Sequence, residues 1–168
     1  MSRFLHAVVS AAVLLPVLVL VGCGGEAPPG FGEGNPFPER TLNDAAGNPV
    51  TVPGDARVVL KTVEMAPANI ANAVLGGMSA AEREEIGIIY IADTHQMPPH
   101  VLENVVLPRM QGRDYPTLIT ATPEDAGFLP HRREHVTVVQ LDGAGTVTGV
   151  EHAASEEELQ ELLAAAGE

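Results

Sequence analysis

The spacing of hydrophobic and polar residues divides this chain into three parts. Residues 7–21 form an apolar run broken only by Ser10 and Pro16, with Arg3 before it and Gly22-Cys23-Gly24-Gly25 after it. A run this short falls below the ~20 residues that cross a hydrocarbon core, and a charged start with a small-residue stop predicts a secretory signal instead. Residues 24–40 then hold five glycines and four prolines with no helical or strand period. That composition predicts a disordered tether, which at ~3.1 Å per residue reaches on the order of 50 Å. The folded body is expected to begin at residue 41.

From there, strand and helix periods alternate. Thr41-Leu42 and Val50-Thr51-Val52 flank a turn-rich stretch and predict a hairpin. Residues 57–63 read as a β-branched strand. A helix is expected with Pro67 as its first residue, with Ile70, Val74 and Met78 recurring at four-residue spacing and a break at Gly76-Gly77. Ser79 and Glu82 match a capping box that opens a short helix ending at Gly87. The apolar stretch 87–93 has the character of a strand covered on both faces, and is placed at the sheet centre. Pro98-Pro99 opens a helix whose Val101, Leu102, Val105 and Val106 share a face until Pro108 kinks or ends it.

Residues 117–121 form a further strand. Residues 136–141 and 146–150 flank Asp142-Gly143-Ala144-Gly145, a hairpin signal, and Ser155 with Glu158 opens a last helix whose buried stripe is Leu159, Leu162, Leu163 and Ala166. Strands separated by helices imply parallel pairing through right-handed crossovers, and the closing hairpin adds antiparallel strands. The prediction is therefore one α/β domain over 41–168, large enough to bury roughly two thirds of its unfolded surface without a disulfide or metal.

Charge narrows the partners. Twenty-two acidic residues against nine basic ones, a net charge of -13, repel phosphate backbones and exclude a nucleic-acid role. One cysteine rules out an internal disulfide and a dithiol pair.

Leu20-Val21-Gly22-Cys23 resembles the lipobox of bacterial lipoproteins. The resemblance implies cleavage between Gly22 and Cys23, a diacylglycerol thioether on the Cys23 sulfur, and acylation, as by palmitate, of the new amino group. Two or three chains hold a protein stably at a bilayer, since burial contributes ~0.8 kcal/mol per CH2 and one chain alone is marginal. Gly24 in the position after the cysteine resembles lipoproteins sorted to the outer membrane, facing the periplasm, in bacteria with two membranes. The alternative is a plain secreted protein carrying a free thiol.

The order of elements from residue 41 onward is similar to the thioredoxin-like superfamily, in particular periplasmic thiol-disulfide proteins and peroxiredoxin relatives. Leu42-Asn43-Asp44-Ala45-Ala46-Gly47-Asn48-Pro49-Val50 matches the opening hairpin, and residues 136–147 with the Ser155 helix match the closing unit. The resemblance implies a three-layer sandwich, a central mixed sheet with helices on both faces. Redox members carry Cys-x-x-Cys at a helix N-terminus, where the dipole lowers the thiol pKa. Here that slot reads Ala66-Pro67-Ala68-Asn69, and where the family places a cis-proline before the closing hairpin this chain has Glu134-His135. Exchange and peroxide reduction both need a thiolate, so a redox-inactive domain with no catalytic residue is expected.

Other candidate chemistry lies outside that slot. His95, Met97 and His100 lie between a strand end and a helix start, where α/β folds place ligands, and imidazole and thioether are ligands that copper favours. Asp93, His95 and His135 are acid-base candidates, but no Gly-x-Ser-x-Gly elbow is present and Ser79 and Ser155 are explained as caps. Arg109, Arg113, Arg132 and Arg133 read as a solvated basic spot, and Met65, Met78 and Met110 as core filler. The expectation is a lipid-anchored binding or scaffolding module of the cell envelope with a protein partner. A copper-handling protein using His95, Met97 and His100 is the alternative, and an enzyme of unrecognised mechanism is a third.

Overall fold

The computed structural model describes residues 27–167, so the predicted signal, Gly22 and Cys23 lie outside the described residues. Among the described residues no helix is long and apolar enough to cross a membrane.

A five-residue strand with every position buried, β3 (Val58–Thr62), organises the sheet. Its β-branched and leucine side chains alternate between the faces, and both faces are covered. It pairs in parallel with β4 (Ile88–Asp93), and β4 in parallel with β5 (Leu118–Thr120). On its other side β3 pairs antiparallel with β6 (Val136–Leu141), which turns back into β7 (Val147–Ala153). β1 (Arg40–Asp44) and β2 (Pro49–Val52) form the opening hairpin, and β1 joins β5 antiparallel. The order β2-β1-β5-β4-β3-β6-β7 puts β4 in the middle, as its apolar sequence predicts.

The two turns follow their side chains. Asp44 accepts from the backbone N–H groups of Ala46 and Asn48, both at 2.8 Å, and Asp142 does the same for Ala144 and Thr146 at 2.9 Å. These bonds hold both carboxyls below the usual aspartate range, led by Asn48 for Asp44 and by the Thr146 N–H for Asp142.

Helix cover is unequal. One face packs Val58, Leu60, Tyr90, Val136 and Val138 beneath α1 (Met65–Gly77) and α6 (Glu156–Ala166). Between α1 and β4 lies α2 (Ala80–Ile86), which carries the full Ser79–Glu82 capping box and ends at Gly87 in the left-handed region, φ 71°. Ser155 likewise caps α6 by accepting from the Glu158 N–H, while the Glu158 carboxylate takes the N–H of Ala154.

The opposite face, built on Val59, Ile91, Leu118 and Val139, has among the described residues one short helix, α5 (Pro123–Ala126), followed by buried Phe128 and Leu129. The rest of its cover comes from the stretch read as a tether. Phe37 is 5% exposed and makes edge-on contact with Phe31 and Phe128. Gly34 donates to the Val147 carbonyl, Phe37 to Gly145, and Val147 to Asn35. The domain therefore takes in chain well before residue 41. Two aromatic side chains supply the apolar area that the glycines and prolines around them conceal in composition.

The helix after β4 also departs from expectation. It begins as α3 (Pro99–Val101), widens into a π-helical turn over Leu102–Val106, and resumes as α4 (Leu107–Gln111). Proline lacks an N–H and crowds the carbonyl four residues back; the wider turn before Pro108 lets the helix continue where it was expected to end or kink. The inserted residue shifts the faces, so Val105 is 40% exposed instead of sharing the buried side of Val106.

Candidate functional site: a cleft at the carboxyl edge of the sheet

The carboxyl ends of β3 and β4, the first turns of α1 and the end of α4 enclose a cleft of about 160 Å3. Crossover connections leave ligand crevices at this edge of an open α/β sheet. Its floor includes the buried Thr62 and Tyr90 hydroxyls, 2.9 Å apart. Burial pushes the Tyr90 phenol up to about 12, so it stays protonated and polar without charge.

The segment 66–69 forms one wall. Ala66, Pro67, Ala68 and Asn69 occupy the opening turns of α1, and Ala68 and Asn69 line the cleft. The helix starts at Met65, ahead of the predicted Pro67. Glu64, just before it, caps nothing. Its carboxylate reaches instead to the loop entering β6, accepting from the Glu134 N–H at 2.5 Å and lying 3.4 Å from the Arg133 guanidinium. Glu134 stands in the left-handed region, φ 60°.

Met65 corrects the core assignment. It is 68% exposed and lines the cleft together with Met97. Met78 packs partly buried against the core and Met110 is 8% exposed, as expected of filler.

Asp93 and its partners sit beside the floor, and Lys61 lies on the opposite face of the sheet. Asp93, at the end of β4, accepts from His95 Nδ1 at 2.6 Å, from the His95 N–H at 3.1 Å and from Thr120 at 3.0 Å. A carboxylate on Nδ1 orients the ring and leaves Nε2 with its lone pair. Lys61, on the neighbouring strand, is 2% exposed and donates to the Ala126 and Leu129 carbonyls at 2.5 and 2.9 Å. Desolvation pushes its ammonium below the ordinary lysine value, opposed by Asp93.

The predicted metal residues divide. Met97 lines the cleft, His95 is engaged by Asp93, and His100 is exposed on the short opening turn of α3. Among the described residues no three His, Cys, Asp or Glu side chains converge as a metal site. His135 lies apart from these, its ring 6.4 Å from that of His152 on the closing hairpin.

Arg109 is exposed, as expected of a solvated cation, and Arg113 is half-buried. Both line the cleft. Arg113 donates to Thr117 Oγ1 at 3.2 Å and lies over the Tyr115 ring at 5.8 Å, while Tyr115 donates to Asn72 Oδ1 at 3.1 Å.

No protein-family description matches this chain, and no curated protein does. Solved structures do. A protein from Bacteroides thetaiotaomicron assigned as a disulfide isomerase superimposes with a TM-score of 0.56 at 17% identity, covering 79% of this chain and 86% of its own. A peroxidoxin from Mycobacterium tuberculosis gives 0.54 at 18% identity over 80% and 95%. A Chlorobium tepidum protein assigned to thiol:disulfide interchange gives 0.53 at 16% identity over 82% and 99%. The chain has the thioredoxin-like fold, an α/β domain on a mixed sheet.

Proposed function

We propose that this protein is a lipid-anchored bacterial envelope module whose thioredoxin-like domain binds rather than reacts. The observation that carries the reading is the start of α1, where Met65-Ala66-Pro67-Ala68-Asn69 stands with no thiol. The chain's single cysteine, Cys23, belongs to the lipobox-like segment and is consumed by lipidation. Thiol exchange has no nucleophile left. What remains at the carboxyl edge is a cleft able to hold a ligand, with a protein partner in the envelope as the role expected of such a module.

The anchor direction supports this reading. The segment 31–37 docks against the turn between β6 and β7, and the antiparallel register Val58↔Gln140 sets that turn at the amino ends of β3 and β4. The cleft is at their carboxyl ends, the far end of the strands from the segment that leads back to Cys23. The test is the full chain expressed in a bacterium fed labelled palmitate. Label is incorporated and is lost in Cys23→Ala, and the purified protein neither reduces insulin disulfides nor consumes peroxide. Turnover in either assay would overturn the reading.

A second reading, copper handling, is favoured by the Asp93–His95 pair beside Met97, since a carboxylate-oriented imidazole is the usual support of a metal ligand. Stoichiometric Cu(I) uptake lost in His95→Ala and Met97→Ala would put it first.

A further inference from the structure

The cleft gathers two cations. Among the described residues, Arg83 is paired with Asp114 and Arg133 with Glu64, while the other lysine and arginine side chains have no carboxylate partner. Of these, Arg109 and Arg113 lie four positions apart and line one cavity. The two carboxylates in the cleft wall are already occupied, Glu64 by Glu134 and Arg133, and Asp93 by His95 and Thr120. Like charges that share one cavity repel, and an anion between them relieves that repulsion.

Neighbouring groups suit the same ligand. Tyr115 takes Asn72 Oδ1, which leaves the Asn72 NH2 as the unengaged donor of an amide that lines the cavity, and Asn69 adds a second amide. Tyr115 and Thr117 hold the Arg113 side chain in place. Guanidinium forks match the two oxygens of a carboxylate and offer charge-assisted hydrogen bonds. The remaining wall is apolar, from Met65, Met97 and Val106. The cavity of about 160 Å3 lies well below the 300–1,000 Å3 of a drug-sized site and suits a small molecule.

We propose that this cleft binds a small organic carboxylate, its charged end between Arg109 and Arg113 and its short apolar tail against Met65, Met97 and Val106. The proposal rests on the reading that the domain binds rather than reacts, and it adds the ligand class.

The experiment titrates the full chain in detergent with butyrate by calorimetry, alongside butyramide, which has the same shape without the charge, and inorganic sulfate, which has charge without a tail. Butyrate binds one-to-one, butyramide does not compete, and sulfate binds more weakly than butyrate. Arg109→Gln weakens butyrate at least about tenfold, the loss expected of a charge-assisted hydrogen bond. Because Arg113 also supports Tyr115, exposed Arg109 is the primary variant, and Arg132→Gln is the control that leaves binding unchanged. No butyrate binding, equal binding of butyramide, or full retention in Arg109→Gln overturns the proposal. Sulfate binding as tightly as butyrate overturns the organic class. None of these results touches the thiol and palmitate assays, so the ligand class fails separately from the reading it rests on.

Discussion

Single residues at the sheet's carboxyl edge carry meanings that their types do not announce. Lys61 sits in a β-branched run and counts as one of nine basic residues, yet it is fully inside and spans from β3 to the chain after β5. Its two bonds anchor α5 and the chain just after it to the sheet. Lys61→Met keeps much of the stem volume and leaves both carbonyls without a partner. An unpaired buried acceptor costs ~1–3 kcal/mol; the substitution is therefore expected to lower stability by about 2 kcal/mol or more, read as a shift in the urea midpoint with an unchanged slope. Arg83 plays a comparable part, donating to the Leu75 and Met78 carbonyls and to Asp114. None of these roles is legible from one strand or helix alone, because the partners lie on other elements.

At the scale of elements, local chemistry was a good guide. The Asp44 and Asp142 turns, the Ser79 box, the Ser155 cap and the apolar centre of β4 each follow from a few adjacent residues whose bonds close within the same segment. Expectations failed where a segment's state depends on what it meets. Residues 31–37 have tether composition, but Phe31 and Phe37 find a sheet face that its own helices leave open. Phe37→Ala is expected to cost about 3 kcal/mol, the range for emptying a buried phenylalanine, where a free tether would show no change. Denaturant unfolding of the full chain measures it. The π-helical turn at Leu102–Val106 is another case, since Pro108 alone signals an ending and only packing of Val106 and Leu107 keeps the helix going.

At the scale of the molecule, the fold sets the docked N-terminal segment and the cleft far apart. The N-terminal segment meets the body at the turn between β6 and β7, and the cleft opens at the far end of the same strands. In the lipid-anchored form that we propose, a spin label on Gln96→Cys, beside the cleft, stays beyond reach of a lipid-borne quencher, whereas one on Ala144→Cys, in that turn, is attenuated. Equal attenuation of the two would contradict this orientation.

Much of this protein was settled by sequence alone: an acidic chain with a single cysteine at position 23, the element order, the turns and caps, and no thiol at the start of α1. Those properties are either composition or interactions between residues a few positions apart, and they need no knowledge of the rest of the chain. Tertiary structure decided which cations face a cavity, which methionine is exposed, that a lysine is buried and where the domain begins. Each of those outcomes depends on surfaces brought together across tens of residues, and a side chain's direction and environment exist only after the sheet has closed around it.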